Sequence, residues 1–243
     1  MIKIEQLYKR FGKNKVLKGV DLDITSKGIF AILGPNGSGK TTLIKAILGM
    51  VIPDKGKLLV EDVSIKRNWK YRDQIDYLPQ IANFPANLTV KELISMIKDL
   101  RNRPGEDKKL ISLFKLEPFL SKKLSHLSGG TKQKVNLVLT LMFDSPIIIL
   151  DEPTSGLDPI ALIHLKELIA VEKAKGKIIL ITSHIMSFVE EVADEIVFLL
   201  EGKVYFKGNI DALKTQTKES NFERAIANLL TYEDAETIKI QFF

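Results

Sequence analysis

Phosphate-binding chemistry is indicated by one stretch near the N-terminus, Gly34-Pro35-Asn36-Gly37-Ser38-Gly39-Lys40-Thr41. It fits the pattern G-x-x-x-x-G-K-[ST], whose glycines let consecutive backbone N–H groups converge on an anion. The lysine can reach the outer phosphates of a nucleotide, and the threonine hydroxyl can bind Mg²⁺. An ordinary glycine-rich turn is the alternative. However, the preceding apolar run predicts a strand and the following run predicts a helix, which is the context a phosphate loop requires.

Two other apolar runs of strand length also end in residues that can do chemistry. Asp151-Glu152 follows Ile147–Leu150, and Thr182-Ser183-His184 follows Ile178–Ile181. Parallel sheets bind ligands at the carboxyl ends of their strands, so we expect these residues near the phosphate loop. Asp151 suits a carboxylate that holds Mg²⁺, Glu152 a general base for water, and His184 a phosphate-sensing group. Two solvated acids and a structural histidine are the alternative interpretation.

The elements that would position these residues alternate between strands and helices, which predicts an α/β fold with a mainly parallel sheet. Residues 2–24 alternate polar and apolar side chains, which favours antiparallel strands beside that sheet. From about residue 85 to 142 the pattern is helical and predicts an inserted helical subdomain, with a helix over Val90–Leu100 capped by Thr89. Residues 1–213 would form the main domain, and 214–243 a short extension with a helix over Phe222–Leu230 and a final apolar stretch, Ile238–Phe243.

Composition narrows the classes of function. The chain has 243 residues, no cysteine and a formal net charge of +6. Disulfides and thiolate metal sites are therefore excluded. No apolar run approaches the length that spans a bilayer, so we expect other subunits to supply any membrane span. The charge is mild and its lysines are dispersed without interleaved aromatics, which favours a solvated surface over a nucleic-acid site.

A second glycine-containing segment, Leu127-Ser128-Gly129-Gly130-Thr131, precedes an apolar helical pattern. Its bare backbone N–H groups at the start of a helix over Thr131–Met142 would form another anion site. Alone, the segment could equally be a linker. Val135, Val138, Leu139 and Met142 would share the buried face of that helix.

With these segments in order, the chain resembles the ATP-binding subunit of ABC transporters over nearly its whole length. That resemblance implies the P-loop NTPase (RecA-like) fold, with ATP and Mg²⁺ as cofactors. It implies catalytic roles for Lys40, Gln80, Glu152 and His184, and a metal site of Thr41, Gln80 and Asp151. The implied nucleotide contacts are Phe11, residues 34–41, Thr42, Ser128, Gly129, Gly130 and Asp158. Phe11 occupies the position of the aromatic that stacks on adenine, and Tyr8 is the nearby rival.

The resemblance also implies partners. Two copies would face head to tail, each ATP lying between one copy's phosphate loop and Ser128-Gly129-Gly130 of the other. Transmembrane permease subunits would dock on the helical lobe around Phe84–Leu100, with the chain peripheral on the cytoplasmic face of the cell membrane and no nucleic acid bound. The family's usual glutamine after Ser-Gly-Gly is Thr131 here. Because Ser128 and the backbone amides are retained, we expect activity to survive.

Several stretches are similar, at finer grain, to the ATPase associated with copper-site maturation of nitrous oxide reductase. They are Tyr77–Ile81, Leu88–Arg101, Ser128–Lys134 and Ile181–His184. Three other classes remain as alternatives: a GTP-binding switch, a small-molecule kinase, and a related ATPase acting on DNA or ribosomes. A guanine-reading Asn-Lys-x-Asp motif is absent, and kinases of this loop type do not explain the Ser-Gly-Gly helix. The segment between Gln80 and Ser128 is too short for the coiled coil of many DNA-repair relatives.

Overall fold

The structure, a computed structural model, describes residues 1–230. In chain order the strands are β1 Ile2–Phe11, β2 Asn14–Ile24, β3 Gly28–Leu33, β4 Lys55–Val60, β5 Val63–Ser64, β6 Ile75–Leu78, β7 Ile147–Asp151, β8 Ile178–Thr182, β9 Glu195–Leu200 and β10 Lys203–Gly208. The helices are α1 Lys40–Ile47, α2 Val90–Arg101, α3 Asp107–Leu113, α4 Gly129–Leu141, α5 Pro159–Ala174, α6 Met186–Val192 and α7 Ile210–Thr217. Residues 222–230 are also helical.

The strands form two sheets, which confirms the predicted fold class. The larger sheet has the order β10-β9-β3-β8-β7-β6 and is parallel except for its edge strand β10. The smaller sheet, β2-β1-β4-β5, is antiparallel throughout and contains the N-terminal residues predicted to form such strands. In the larger sheet, β3 and β8 are neighbours, and β7 lies beside β8. The three strand ends singled out from the sequence therefore meet at one edge.

The larger sheet is buried on both faces, as its isoleucine-rich strands predict. Ile147 and Ile149 of β7 pack with the smaller sheet and α1, whereas Ile148 and Leu150 pack with helices α2–α6 on the other face. Successive strand residues point to opposite faces, so one short strand contributes to both cores. This double burial fixes the position of the residue that follows each strand.

Between β6 and β7 the chain forms the predicted helical lobe, with α2, α3 and α4. The helix α2 begins where expected: Thr89 accepts a hydrogen bond from the Glu92 backbone N–H, and the Glu92 carboxylate accepts one from the Thr89 backbone N–H. This reciprocal pair satisfies two donors that a helix start otherwise leaves open. The helix predicted over Thr131–Met142 is α4, and its bounds differ from that prediction. It begins at Gly129, two residues earlier, because Ser128 is its N-cap, and it ends at Leu141.

The described part of the predicted extension, residues 214–230, packs on the main core. Helix α7 runs across residue 213, and Phe222, Ala225, Ile226 and Leu229 are buried in the same cluster as the central sheet. The division into 1–213 and 214–243 stays a prediction, and Ile238–Phe243 lies outside the described residues. No helix within residues 1–230 combines the length and apolar character needed to cross a bilayer.

Candidate functional site

The phosphate loop joins the buried strand β3 to helix α1, which begins at Lys40. The backbone at Gly34 has φ 144°, and a Cβ there would lie 2.0 Å from the Leu199 carbonyl oxygen. Only glycine permits this approach. Gly39 adopts φ 107° as it starts the helix. These two positions turn the chain so that the loop amides and the N-terminus of α1 face the same space.

That space is a cavity of about 260 Å³ at the edge of the larger sheet. It is lined by Asn14, Val16, Asn36, Gly37, Gly39, Lys40, Thr41, Thr42, Gln80, Asp151, Glu152 and His184. Residues from the phosphate loop and from the ends of β6, β7 and β8 therefore meet around one opening, as expected of ligand sites in parallel sheets.

Lys40 reaches back over its own loop. Its Nζ donates to the carbonyl oxygens of Gly34 at 2.7 Å and Pro35 at 3.0 Å. Burial lowers the pKa of Lys40, and the nearby charges of Glu152 and Asp151 oppose that shift. A half-buried ammonium group at the N-terminus of α1 makes the cavity favourable for an anion.

The two acids after β7 have different surroundings. Asp151 is buried, and its Oδ1 accepts a hydrogen bond from the Thr182 hydroxyl at 2.5 Å. Glu152 faces His184: its Oε1 lies 3.2 Å from Nε2 of the histidine ring, and its Oε2 accepts from the His184 backbone N–H at 3.3 Å. Burial raises the pKa of Glu152, and the charge and backbone N–H of His184 oppose that shift. A carboxylate with a raised pKa beside a histidine suits proton transfer.

The oxygens that could hold Mg²⁺ come from three different elements. Thr41, Gln80 and Asp151 supply a hydroxyl, an amide and a carboxylate to the same cavity. Within residues 1–230, no group of three or more His, Cys, Asp and Glu side chains could hold a metal ion by itself. Such a sparse set of hard oxygen ligands fits Mg²⁺, which keeps several waters and takes further oxygens from a nucleotide's phosphates.

Some predicted contacts are not part of the cavity lining. Phe11 lies at the end of β1 with 51% of its surface exposed, and the Nζ of Lys9 lies 5.2 Å from its ring centroid. Tyr8 is also exposed, and its hydroxyl donates to Gln6. Both aromatics thus remain open to a ring that stacks from outside. Ser38 is buried beneath the loop, while Gly34 and Pro35 contribute the carbonyl groups that contact Lys40.

Two residues that line the cavity were not predicted from the sequence. Asn14 and Val16 lie at the start of strand β2 and reach the cavity from the smaller sheet. No phosphate or metal pattern includes them. Their position depends on contacts between distant segments, such as the hydrogen bond from the Lys18 backbone N–H to the Gly202 carbonyl, which ties β2 to the β9–β10 turn.

The Ser-Gly-Gly segment lies away from this cavity, at the N-terminus of α4. The Ser128 hydroxyl caps the helix at the Thr131 N–H and also lies 2.8 Å from the Thr131 hydroxyl. Gly129 and Gly130 occupy the first turn, where backbone N–H groups have no partner within the helix. Asp158 caps α5 and forms an ion pair with Lys134 of α4, so it too lies outside the cavity. Within residues 1–230, Ser128 is not among the residues that line the cavity around Lys40.

Comparisons with known proteins agree with this geometry. The family model described as "ABC transporter" matches residues 17–155. The chain is 32% identical to a lantibiotic transport ATP-binding protein of Streptococcus pyogenes, over 96% of this chain and 99% of that protein. It is also 32% identical to the Nod factor export ATP-binding protein I of Burkholderia lata, over 87% of this chain and 72% of that protein.

The solved structures to which this fold is similar are also ATP-binding subunits or cassettes of ABC transporters. The ATP-binding subunit of an ABC transporter superposes with a TM-score of 0.88 at 29% identity, covering 95% of this chain and 99% of that one. A dimeric bacterial ABC transporter cassette superposes with a TM-score of 0.78 at 25% identity, covering 86% and 98% of the two chains.

Proposed function

The chain belongs to the ATP-binding subunits of ABC transporters and is an ATPase, and from that premise we propose which of its residues bind and hydrolyse ATP. Lys40 and the loop amides of residues 34–41 hold the β- and γ-phosphates. Thr41, Gln80 and Asp151 hold Mg²⁺, which neutralises charge on the phosphates when bound. Glu152 accepts a proton from the attacking water, and His184 contacts the γ-phosphate. The observation that carries this proposal is the convergence of Lys40, Asp151, Glu152 and His184 on one cavity.

The remaining predicted contacts complete the nucleotide site. Thr42 follows the loop and lines the cavity, and Phe11 stacks on the adenine ring from its exposed position at the end of β1. Ser128, Gly129, Gly130 and Asp158 contact the ATP of a second copy of the chain. The separation of these residues from this chain's own cavity supports that assignment. The assignment also requires a head-to-tail homodimer in which each nucleotide is held by two copies.

We propose that the chain powers an exporter with separate permease subunits and binds them at the inner face of the cell membrane. The similarity to a lantibiotic transport ATP-binding protein and to a Nod factor export ATP-binding protein supports this direction. The docking face would be the lobe around Phe84–Leu100. Leu100 within this lobe and Ile81 just before it expose 74% and 73% of their surfaces, which supports contact with an apolar partner segment.

The finer proposal is that the transporter serves copper-site maturation of nitrous oxide reductase. It rests on the similarity of residues 77–81, 88–101, 128–134 and 181–184 to that subfamily. The similarity extends over whole stretches and does not depend on any single residue that would read copper or sulfur. The distinguishing observation is therefore the neighbouring reading frames, where a six-helix permease and a periplasmic copper-binding repeat protein are expected.

Replacing Lys40 tests the nucleotide site. Lys40→Ala removes the charge that faces the outer phosphates, so ATP affinity measured by titration calorimetry should fall by more than about ten-fold, with hydrolysis lost. Lys45→Ala is the matched control, because Lys45 lies on the same helix with its side chain exposed. Unchanged ATP binding by Lys40→Ala, or equal losses in both variants, would contradict the assignment.

A further inference from the structure

Thr182 contacts both acids of the site, although no motif assigns it a role. It ends β8 directly opposite Asp151 in the β7–β8 register and is 1% exposed. Its hydroxyl lies 2.5 Å from Asp151 Oδ1 and 3.0 Å from the backbone nitrogen of Glu152. Its backbone carbonyl oxygen lies 3.2 Å from the same nitrogen. One side chain therefore joins the metal-binding acid to the residue that carries the general base.

The direction of these hydrogen bonds follows from the groups involved. An ionised carboxylate can only accept a hydrogen bond, and a backbone N–H can only donate one. The Thr182 hydroxyl therefore donates to Asp151 and accepts from Glu152. Because the bond to Asp151 is charge-assisted and buried, it is stronger than a bond between neutral groups. Valine has a similar shape but can form neither bond.

The backbone of Glu152 depends on the same residue. Glu152 has φ 52°, in the left-handed region that residues with a side chain rarely adopt. Such a conformation persists only where surrounding contacts hold it. Here the Glu152 N–H is shared between the hydroxyl and the carbonyl oxygen of Thr182, while the carboxylate is held by His184. The turn thereby directs the Glu152 side chain towards the cavity.

We propose that Thr182 is a positioning residue that orients Asp151 towards Mg²⁺ and Glu152 towards the attacking water. This inference rests on the proposed roles of the two acids and adds the residue that sets their geometry. With Oδ1 engaged by Thr182, rotation of the Asp151 carboxylate is restricted and Oδ2 is left for the ion or its waters. Groups that orient metal ligands in this way commonly change metal affinity or activity by 10- to 100-fold.

The test compares Thr182→Val with Thr182→Ser, which keeps the hydroxyl. ATP binding to the full chain is measured by titration calorimetry in Mg²⁺ and in EDTA. In Thr182→Val, the increase in ATP affinity that Mg²⁺ causes should be about ten-fold smaller than in the parent. Its ATP affinity in EDTA should equal that of the parent. Its kcat should fall by about ten-fold or more, and Thr182→Ser should recover most of both losses. Thr217→Val is the control, because Thr217 is a buried threonine on α7 whose hydroxyl bonds only to helix carbonyl groups.

Several outcomes would overturn the proposal. One is a full Mg²⁺-dependent gain in Thr182→Val, and another is an equal loss of affinity in Mg²⁺ and in EDTA, which a purely structural role predicts. Thermal unfolding without nucleotide shows whether the variant folds. If it does not, Thr182→Ala replaces it under the same expectations. Asp151→Asn distinguishes failure of the metal site from failure of the role of Thr182. If Asp151→Asn keeps the Mg²⁺-dependent gain in ATP affinity, the proposed metal site is wrong. If Asp151→Asn loses that gain and Thr182→Val keeps it, only the role of Thr182 is contradicted.

Discussion

Glu152 combines three features that suit a general base. It is half-buried, its carboxylate is held on both oxygens by His184, and its backbone is in the left-handed region. Burial raises its pKa, so the carboxylate binds a proton more readily than an exposed glutamate does. Together these features hold a moderately basic oxygen at the mouth of a cavity that suits a triphosphate.

Glu152→Gln should bind ATP normally and hydrolyse it 10²- to 10⁴-fold more slowly, roughly the contribution of one general base. Because only the ionised carboxylate accepts a proton, the parent's kcat should decline as pH falls through the raised pKa of Glu152, at a higher pH than an ordinary glutamate would give. That acid limb should be absent from the residual activity of Glu152→Gln. Steady-state phosphate release at several pH values measures both. Hydrolysis at the parent rate would remove Glu152 from its role, and Glu167→Gln, at an exposed position of α5, is the control.

Side chains at strand ends could be predicted from the sequence, and those that depend on register could not. Lys40, Asp151 and His184 follow apolar runs, and parallel strands bring their ends together. Thr182 was visible as a strand-end residue, but its bond to Asp151 follows from the pairing of β7 with β8. Asn14 and Val16 reach the cavity from the other sheet, and no local pattern reports such a contact.

At the scale of elements, the helical lobe is tied to the strand that leads into Gln80. The carboxylate of Asp76, buried in β6, contacts Arg101 at the end of α2 at 3.1 Å and Arg103 at 3.5 Å. Both guanidinium groups also lie over the ring of Phe143, after α4. Burial raises the pKa of Asp76, and the two arginines oppose that shift. These contacts fix where α2 ends, and the capping box fixes where it begins.

Thr89→Ala should lower the free energy of unfolding by about 1 kcal/mol, because the Glu92 N–H loses its side-chain acceptor. Thr89→Ser, which keeps the hydroxyl, should lose much less. Urea unfolding followed by circular dichroism measures both variants. Equal stability of Thr89→Ala and the parent would show that the cap contributes nothing to the folded state.

The start of a helix was predictable where a cap and an apolar period agreed, as at Thr89. The sequence places the start of α4 two residues too late, because glycines favour a loop before a helix. Ser128 is a strong N-cap, and tertiary packing overrides the low helix propensity of Gly129 and Gly130. Of the four residues predicted to share the buried face of α4, only Leu139 is half-buried. Asn136 and Leu137 are buried too, since α4 packs in the interior of the lobe.

At the scale of the whole molecule, the two segments that we propose to contact ATP lie apart within residues 1–230, since the cavity at the phosphate loop is not lined by Ser128 or its glycines. The phosphate loop opens into the cavity at the sheet edge, and the start of α4 presents Ser128 and its glycines elsewhere. A single copy therefore offers only part of the contacts expected around ATP. Two copies arranged head to tail would complete two equivalent sites, consistent with a solved relative that is a dimeric cassette.

Mixing two inactive variants tests this arrangement most directly. Lys40→Ala disables the phosphate loop, and Ser128→Arg blocks the Ser-Gly-Gly surface. In a mixed dimer, the intact loop of the Ser128→Arg copy would meet the intact surface of the Lys40→Ala copy and form one complete site. We predict that the mixture hydrolyses ATP at about a quarter of the parent rate, since half of the dimers would be mixed and each would hold one of two sites. A mixture no more active than the two variants measured separately would contradict a site shared between copies.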